Sequence, residues 1–246
     1  MKLIKLNAID STNSFLKELA QNSTLEQFTV AVTNNQTSGR GQINNSWKSE
    51  PYKNLTFSVF TPLENVQIKH QAFLNFAVSL AIYDALISLS IPNLSIKWPN
   101  DILSDNLKIC GILIETTFLK QRIKNTIIGI GLNVNQEKFS KKLSNASSLK
   151  IIMKKNFDLE ILMNAIIKRI KSRFSLIEKG NIEKIYEDYH EVLYKKGTPI
   201  TFFHKEKEFY FMGIIIGVSY VGNLQIKLED NTILEYGIKE ISFAKV

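Results

Sequence analysis

The run FLNFAVSLAIYDALISLSI, beginning at Phe73, constrains the fold more than any other stretch, because so apolar a segment must be covered by protein or by lipid. Asn75, Ser79, Asp84 and Ser88 interrupt it, which predicts an amphipathic helix on a protein core and no bilayer span. With 246 residues and 44% hydrophobic content, the chain supplies that cover within one sizeable domain and a small appendage. The opening MKLIKLNAID has too short an apolar core for a secretory leader. Cys110 is the only cysteine, so no internal disulfide forms, and a reducing cytoplasm is the expected location.

The net charge of +8 favours anionic partners such as nucleotides, nucleic acid or an acidic protein. Lysine is scattered along a sequence that leans to Ile, Lys and Asn throughout. The charge therefore carries little weight by itself.

Along the chain, DSTNSFLKELAQ offers Asp10, Ser11 or Thr12 as an N-cap for a short helix with Phe15, Leu16, Leu19 and Ala20 on one face. FTVAVT and NLTFSVF read as strands that bracket a long loop containing TSGRGQINNSW. Loops of that length in compact domains are usually functional or mobile. Strand-like runs follow the apolar helix at LSIKW, LKICGILIETT and TIIGIGLNV, with PNDILSDN reading as a hairpin loop between the first two. Two further helices are predicted, over Asp158 to Lys179 and around Ile182, Ile185 and Tyr189. From about Tyr194 the texture changes to short strands with tight turns at Gly222-Asn223 and Asp230-Asn231. The expected architecture is α+β: a mixed sheet flanked by helices over 1–193, then a small β-barrel of SH3-like size over 194–246.

Three familiar sites are missing from the sequence. No G-x-x-x-x-G-K-[ST] occurs, Gly129-Ile130-Gly131 lacks the third glycine of a dinucleotide fingerprint, and nothing resembles a serine nucleophile elbow. His70, His190 and His204 lie far apart with no cysteine or carboxylate at ligand spacing, so no structural metal is expected. His190, on a predicted helix, reads as a surface or interface residue.

What remains are four segments with polar or glycine residues where a core strand or plain turn would not want them. They are STN (11–13), QTSGRGQINNSW (36–47), KWPND (97–101) with LKICGILIE (107–115), and GIGLN (129–133). In this order and at these intervals they resemble the biotin protein ligases, over essentially the whole chain. The combination of G-R-G-x(5)-W, K-W-P-N-D and K-x-x-G-I-L-[VI]-E is specific, whereas each alone is weak. The resemblance implies the class II synthetase-like catalytic fold of biotin and lipoate ligases with a C-terminal SH3-like domain. The catalytic segment begins at residue 1, so the chain resembles the form without a repressor's DNA-binding domain, and no specific DNA binding is expected.

The resemblance also implies roles. Ser11, Thr12 and Asn13 meet the ureido ring of biotin, with Gln36 as a second ureido contact. Ser11 or Thr12 can cap the helix at the same time, since a hydroxyl has one donor and two acceptor sites. Gly39, Arg40, Gly41, Gln42 and Trp47 form a loop over biotin and phosphate. Gly111, Leu113, Gly129 and Gly131 form a floor on which biotin lies against backbone. Arg40 and Lys108 offset the repulsion between the biotin carboxylate and the α-phosphate, with Mg²⁺ on the phosphates. Asn100 and Asp101 lie near the phosphates or Mg²⁺, although Pro-Asn-Asp is also good turn chemistry. Asn133 resembles a nucleotide-site asparagine, and Ala146-Ser147-Ser148 closes a mobile segment that can cover adenine.

The implied reaction activates biotin with ATP to biotinyl-5′-AMP, then transfers biotin to a lysine of the carrier protein of acetyl-CoA carboxylase. Arg40, Lys108 and Asp101 are the catalytic candidates, Asp101 orienting the incoming lysine or taking its proton. Many members read G-R-G-R-x-G-R-x-W, and this loop has Gln42, Asn44 and Asn45 at the later Arg, Gly and Arg positions. Asn44 tolerates left-handed backbone, so the turn is expected to survive. The rivals are a lipoate ligase or octanoyltransferase of the same fold, and a non-catalytic nucleic-acid-binding protein. A homodimer through the sheet edge is compatible with the family.

Overall fold

The computed structural model describes residues 2–43, 45–63 and 66–244. The stretch too short for a leader is an edge strand, β1 (Leu3–Ile9), followed by helix α1 (Thr12–Asn22) and strand β2 (Thr29–Gln36). β1 and β2 run parallel in a register that sets Ile9 beside Gln36. A parallel pair joined by a crossover helix brings that helix's N-terminus to the strand ends. STN and Gln36, 23 or more positions apart in the chain, are thereby neighbours, with the Thr12 N–H donating to Gln36 Oε1 at 2.9 Å across a separation of 24 residues.

Strand β3 (Leu55–Pro62) pairs antiparallel with β2, and helix α2 (Gln71–Ile87) comes next. This helix is not amphipathic. Phe73, Leu74, Phe76, Ala77, Val78, Leu80, Ala81, Ile82, Ala85 and Leu86 are all buried, which places core on every side of it. Each fully buried Leu, Ile or Phe there stabilises the fold by roughly 1.5–3 kcal/mol. The polar positions are used inside the protein: Asn75 Nδ2 donates to the Pro99 carbonyl, and Asp84 accepts from Arg173 at 2.9 and 2.8 Å. Among the described residues, Ile68–Ile87 is the one helical stretch long and apolar enough to cross a membrane, and most of it is core.

Strands β4 (Leu94–Lys97), β5 (Asp101–Ser104), β6 (Leu107–Leu119) and β7 (Arg122–Leu132) complete a seven-stranded mixed sheet of order β1-β2-β3-β7-β6-β5-β4. PNDILSDN is therefore not a hairpin loop. Ile102 and Leu103 are buried in a four-residue strand set between two turns, the second formed by Asp105 and Asn106 with positive φ. The segment after β7, expected to be mobile, is docked: Ser147 N donates to the Lys108 carbonyl at 2.9 Å, and Ser148 caps the short helix α3 (Leu149–Met153). Helices α4 (Leu159–Glu178) and α5 (Ile182–Glu191) cover α2.

Strands β8 (Pro199–His204), β9 (Phe209–Val218), β10 (Leu224–Lys227), β11 (Ile233–Tyr236) and β12 (Ile241–Phe243) form an antiparallel sheet of order β11-β10-β9-β8-β12. Gly222 and Asn231 take positive φ at the two turns expected from the sequence. The ladders leave β11 and β12 as edges, so the sheet is not closed into a barrel among the described residues. His190 is buried between this sheet and α5, and is not a surface residue. Its Nε2 accepts from Val218 N–H at 2.8 Å while Nδ1 faces the Tyr186 carbonyl at 2.7 Å, which makes it a neutral imidazole with its proton on Nδ1. Trp98 Nε1, donating to the Gly222 carbonyl at 2.9 Å, is a second tie between the C-terminal strands and the preceding region.

Candidate active site

The floor of the site follows from the register of β3, β7 and β6. Gly131 lies opposite both Thr56 and Gly111, and Gly129 opposite both Ser58 and Leu113. Side chains at Gly129 and Gly131 would collide with what lies above: a Cβ at Gly129 would come within 2.5 Å of Asn13 Oδ1, and one at Gly131 within 2.3 Å of Trp47 Cε2. Bare backbone is thus the surface on which the indole of Trp47 rests.

At one end of the floor the polar groups are amides and hydroxyls. Gln36 Oε1 takes the Thr12 N–H, and Ser58 Oγ lies 2.7 Å from Thr12 Oγ1 and 2.6 Å from Asn13 Oδ1. Asn13 Nδ2 donates to Glu115 Oε2 at 2.7 Å and to the Leu113 carbonyl at 3.3 Å. Ser11 accepts from Ser14 N–H as the N-cap of α1. Ser11, Thr12 and Asn13 are each 3% exposed.

At the other end the groups are charged. Lys108 Nζ lies 2.6 Å from Asp101 Oδ1, off the hydrogen-bonding direction, so the contact is an ion pair and leaves that oxygen without a hydrogen bond. Arg40 reaches back to the amide-rich end, where its Nη2 donates at 2.8 Å to Glu115 Oε2, the oxygen that also accepts from Asn13. Lys97 faces Asp101 across the β4–β5 ladder, and its ammonium sits 4.4 Å from the Phe243 ring centroid. Burial lowers the pKa of Lys97; Asp101 opposes that effect and the neighbouring Lys108 adds to it.

The 37–47 loop closes over this surface as a small hairpin. Thr37 and Ser38 N–H groups donate to the Ile9 and Asp10 carbonyls at 2.9 Å, Gly41 N–H donates to Asn45, and Trp47 N–H donates to Gly39. Ile43 at the tip has φ 52°, a costly conformation for a β-branched residue. The expectation about Asn44 lies outside the described residues. Gln42 Oε1 is buried without a hydrogen-bond partner among the described residues.

These parts surround one cavity of about 350 Å³. Ser11, Thr12, Asn13, Gln36, Arg40, Gly41, Gln42, Trp47, Asn100, Asp101, Lys108, Gly111, Leu113, Gly129 and Gly131 all line it. Five of the expected residues do not: Gly39, Asn133, and the adenine-side run Ala146, Ser147 and Ser148. Gly39 is buried beneath the loop against Gln36 and Trp47, and Asn133 donates instead to the Ser147 carbonyl at 3.0 Å, holding the 145–148 segment beside Lys108. Lys97, Lys205, Ile238 and Phe243 also line the cavity, and sequence reasoning missed them. KWPND had contained Lys97, but nothing in the β-rich C-terminal stretch marked Lys205. Glu115 closed the quoted motif LKICGILIE, yet its contact with Arg40 is visible only in three dimensions.

Fold and cavity define an α+β protein that offers a glycine floor, an amide-rich end and a cationic end to one small ligand or to two abutting ones. The chain belongs to the biotin/lipoate A/B protein ligase family, whose model matches residues 6–133. It is 33% identical over 135 residues to the bifunctional ligase/repressor BirA of Bacillus spizizenii, a match covering 55% of this chain and 41% of that protein. It is 30% identical over 129 residues to the biotin–[acetyl-CoA-carboxylase] ligase of Mycobacterium tuberculosis, covering 51% and 47% respectively. The structure of the Aquifex aeolicus biotin protein ligase in complex with biotin and ATP superposes with a TM-score of 0.82 at 26% identity, covering 100% of this chain and 99% of that one.

Proposed function

We propose that this chain is an ATP-dependent biotin protein ligase whose carrier is the biotin carboxyl carrier protein of acetyl-CoA carboxylase. The observation that carries the reading is the meeting, in one cavity, of an amide-and-hydroxyl end with Lys97, Lys108 and Lys205 across a bare backbone floor, Arg40 of the loop lining the same cavity. A urea ring suits the first end, because Thr12, Asn13 and Gln36 offer donors and acceptors that an analogue lacking ring N–H groups would leave unpaired. The cationic end suits a carboxylate meeting a triphosphate.

In the first step a biotin carboxylate oxygen bonds to the α-phosphorus of ATP, the bond to the bridging oxygen breaks, and pyrophosphate leaves. Arg40 and Lys108 lower the repulsion between the two anions. In the second step a neutral carrier lysine attacks the acyl carbon, a C–N bond forms, and AMP leaves with the anhydride oxygen. Asp101, already beside Lys108, is placed to orient that lysine or accept its proton. The loop keeps water from the anhydride.

Mg²⁺ fits the donor set. Asn100 Nδ2 is committed to the Ile112 carbonyl at 2.7 Å, which leaves its amide oxygen, with Asp101, as hard donors toward a phosphate-bound cation. Mg²⁺ commonly meets a protein through one or two carboxylates, and when bound it would neutralise phosphate charge. We further assign residues 1–193 to catalysis and 194–246 to a C-terminal domain that lends Lys205 to the cavity. Cytoplasmic action is the setting we assign.

Calorimetry with biotin and then ATP tests the reading, followed by biotin-dependent pyrophosphate release and carrier labelling with biotin or lipoate offered in parallel. Labelling with lipoate and not biotin would replace biotin ligase by lipoate ligase.

A further inference from the structure

One carboxylate oxygen ties the loop arginine to the amide-rich end of the cavity. Glu115 Oε2 accepts from Arg40 Nη2 at 2.8 Å and from Asn13 Nδ2 at 2.7 Å, and Glu115 itself stands behind the cavity wall. Its side chain is 26% exposed and that of Arg40 44%, so solvent reaches the pair and a stronger or better placed anion can displace it.

The same oxygen fixes the amide of Asn13. Glu115 and the Leu113 carbonyl are both acceptors, so Nδ2 must face them and Oδ1 must face Ser58. Ser58 has a single hydroxyl proton, and giving it to Asn13 Oδ1 leaves its lone pairs toward Thr12. A chain of contacts thus runs from the loop arginine through Glu115, Asn13 and Ser58 to Thr12, whose hydroxyl proton goes to Ser58 and whose backbone N–H donates to Gln36 Oε1 at 2.9 Å.

We propose that Glu115 is a positioning residue that holds Arg40 as an internal counter-ion until an anionic ligand takes the arginine over, while keeping Asn13 oriented at the ring end. This inference rests on the ligase reading, in which Arg40 meets a carboxylate and a phosphate. Before those anions arrive, Glu115 occupies the guanidinium. The arginine is held beside Asn13 at the amide-rich end, and a polyphosphate entering alone has to compete for it. Glu115 exchanges one partner and keeps the other.

The contacts separate two substitutions. Glu115→Gln keeps an oxygen for Asn13 Nδ2 and loses the charge that holds Arg40. Glu115→Ala loses both. Calorimetry with inorganic pyrophosphate, in the absence of biotin, should therefore show Glu115→Gln binding about twofold to fivefold more tightly than the wild type, the range set by a partly exposed ion pair. Biotin affinity should stay within about twofold in Glu115→Gln and fall in Glu115→Ala, since only the second leaves the Asn13 amide without its acceptor.

The control is the same substitution in an Arg40→Ala background, where the gain in pyrophosphate affinity should disappear. No gain in Glu115→Gln, or an equal gain without Arg40, overturns the proposal, the second because it would reduce the effect to general charge removal. Should the wild type bind no biotin at all, the ligase reading fails, while the pyrophosphate comparison still decides whether Glu115 holds Arg40.

Discussion

The indole of Trp47 lies against the backbone of Gly131, so closely that a methyl group on that glycine would come within 2.3 Å of Cε2. Trp47 and Gly131 are 84 positions apart in the chain, and their contact is what sets the height of the loop above the cavity floor. Gly131→Ala should push the indole outward or distort β7, at a cost of about 1–3 kcal/mol for overpacking. Biotin affinity should fall at least about tenfold. Titration calorimetry together with the tryptophan emission maximum checks both effects, and an unmoved emission with unchanged affinity would show that ring and floor do not meet in solution.

Lys108 is paired with Asp101 and has the Trp47 ring 5.7 Å away. Its ammonium is thus held by a carboxylate and lies beside an aromatic ring. Lys108→Ala should lower biotin-dependent pyrophosphate release by about 10²- to 10³-fold, the usual cost of losing one transition-state donor. The release assay, run at saturating biotin and ATP, decides this; near-normal rates would remove Lys108 from the chemistry.

Asp101→Asn keeps the shape of the turn but cannot accept a proton. Transfer from preformed biotinyl-adenylate to the carrier should slow, with the slope of rate against pH altered, whereas adenylation should lose less. An identical pH profile for transfer would leave Asp101 with only the task of orienting Lys108.

Much of this was legible because glycine and polar residues interrupt strand-like runs only where something must lie on them. GIGLN, KWPND and TSGRGQINNSW announced the floor, the turn and the loop, and all three line one cavity. What stayed hidden was set by tertiary context. β5 is a four-residue strand too short to show a period, and β1 is an edge strand with mixed faces. α2 read as amphipathic because its few polar residues were assumed to face water, whereas Asn75 and Asp84 have partners inside the protein. Asn133 shows the opposite limit: its place in a motif could not reveal that its amide was committed to the Ser147 carbonyl.

Gln42 stands where many relatives of this resemblance carry arginine, and its Oε1 is buried without a partner among the described residues. An unpaired buried carbonyl costs about 1–3 kcal/mol where no donor reaches it. Gln42→Arg should replace that loss with a cation near the phosphates and slow the escape of biotinyl-adenylate several-fold. Release of labelled adenylate from preloaded protein measures it. Equal escape rates would mean that the amide already serves as well as the cation.

His190 couples the C-terminal sheet to α5, and the bond it accepts from Val218 N–H requires an unprotonated Nε2. Burial lowers its pKa below the ordinary value of 6.5. The unfolded chain therefore binds this proton more readily than the folded one. The sign follows from linkage: the contribution of His190 is fully present above about pH 6.5, and it is lost as pH falls through the depressed folded value. Thermal melts between pH 8 and pH 5 should show a drop in Tm that begins near 6.5. His190→Gln should lower Tm at pH 8, because Val218 loses a well-placed acceptor, and should flatten the decline below 6.5. A variant with the same pH slope as the wild type would assign that slope to other groups and leave His190 a packing residue alone.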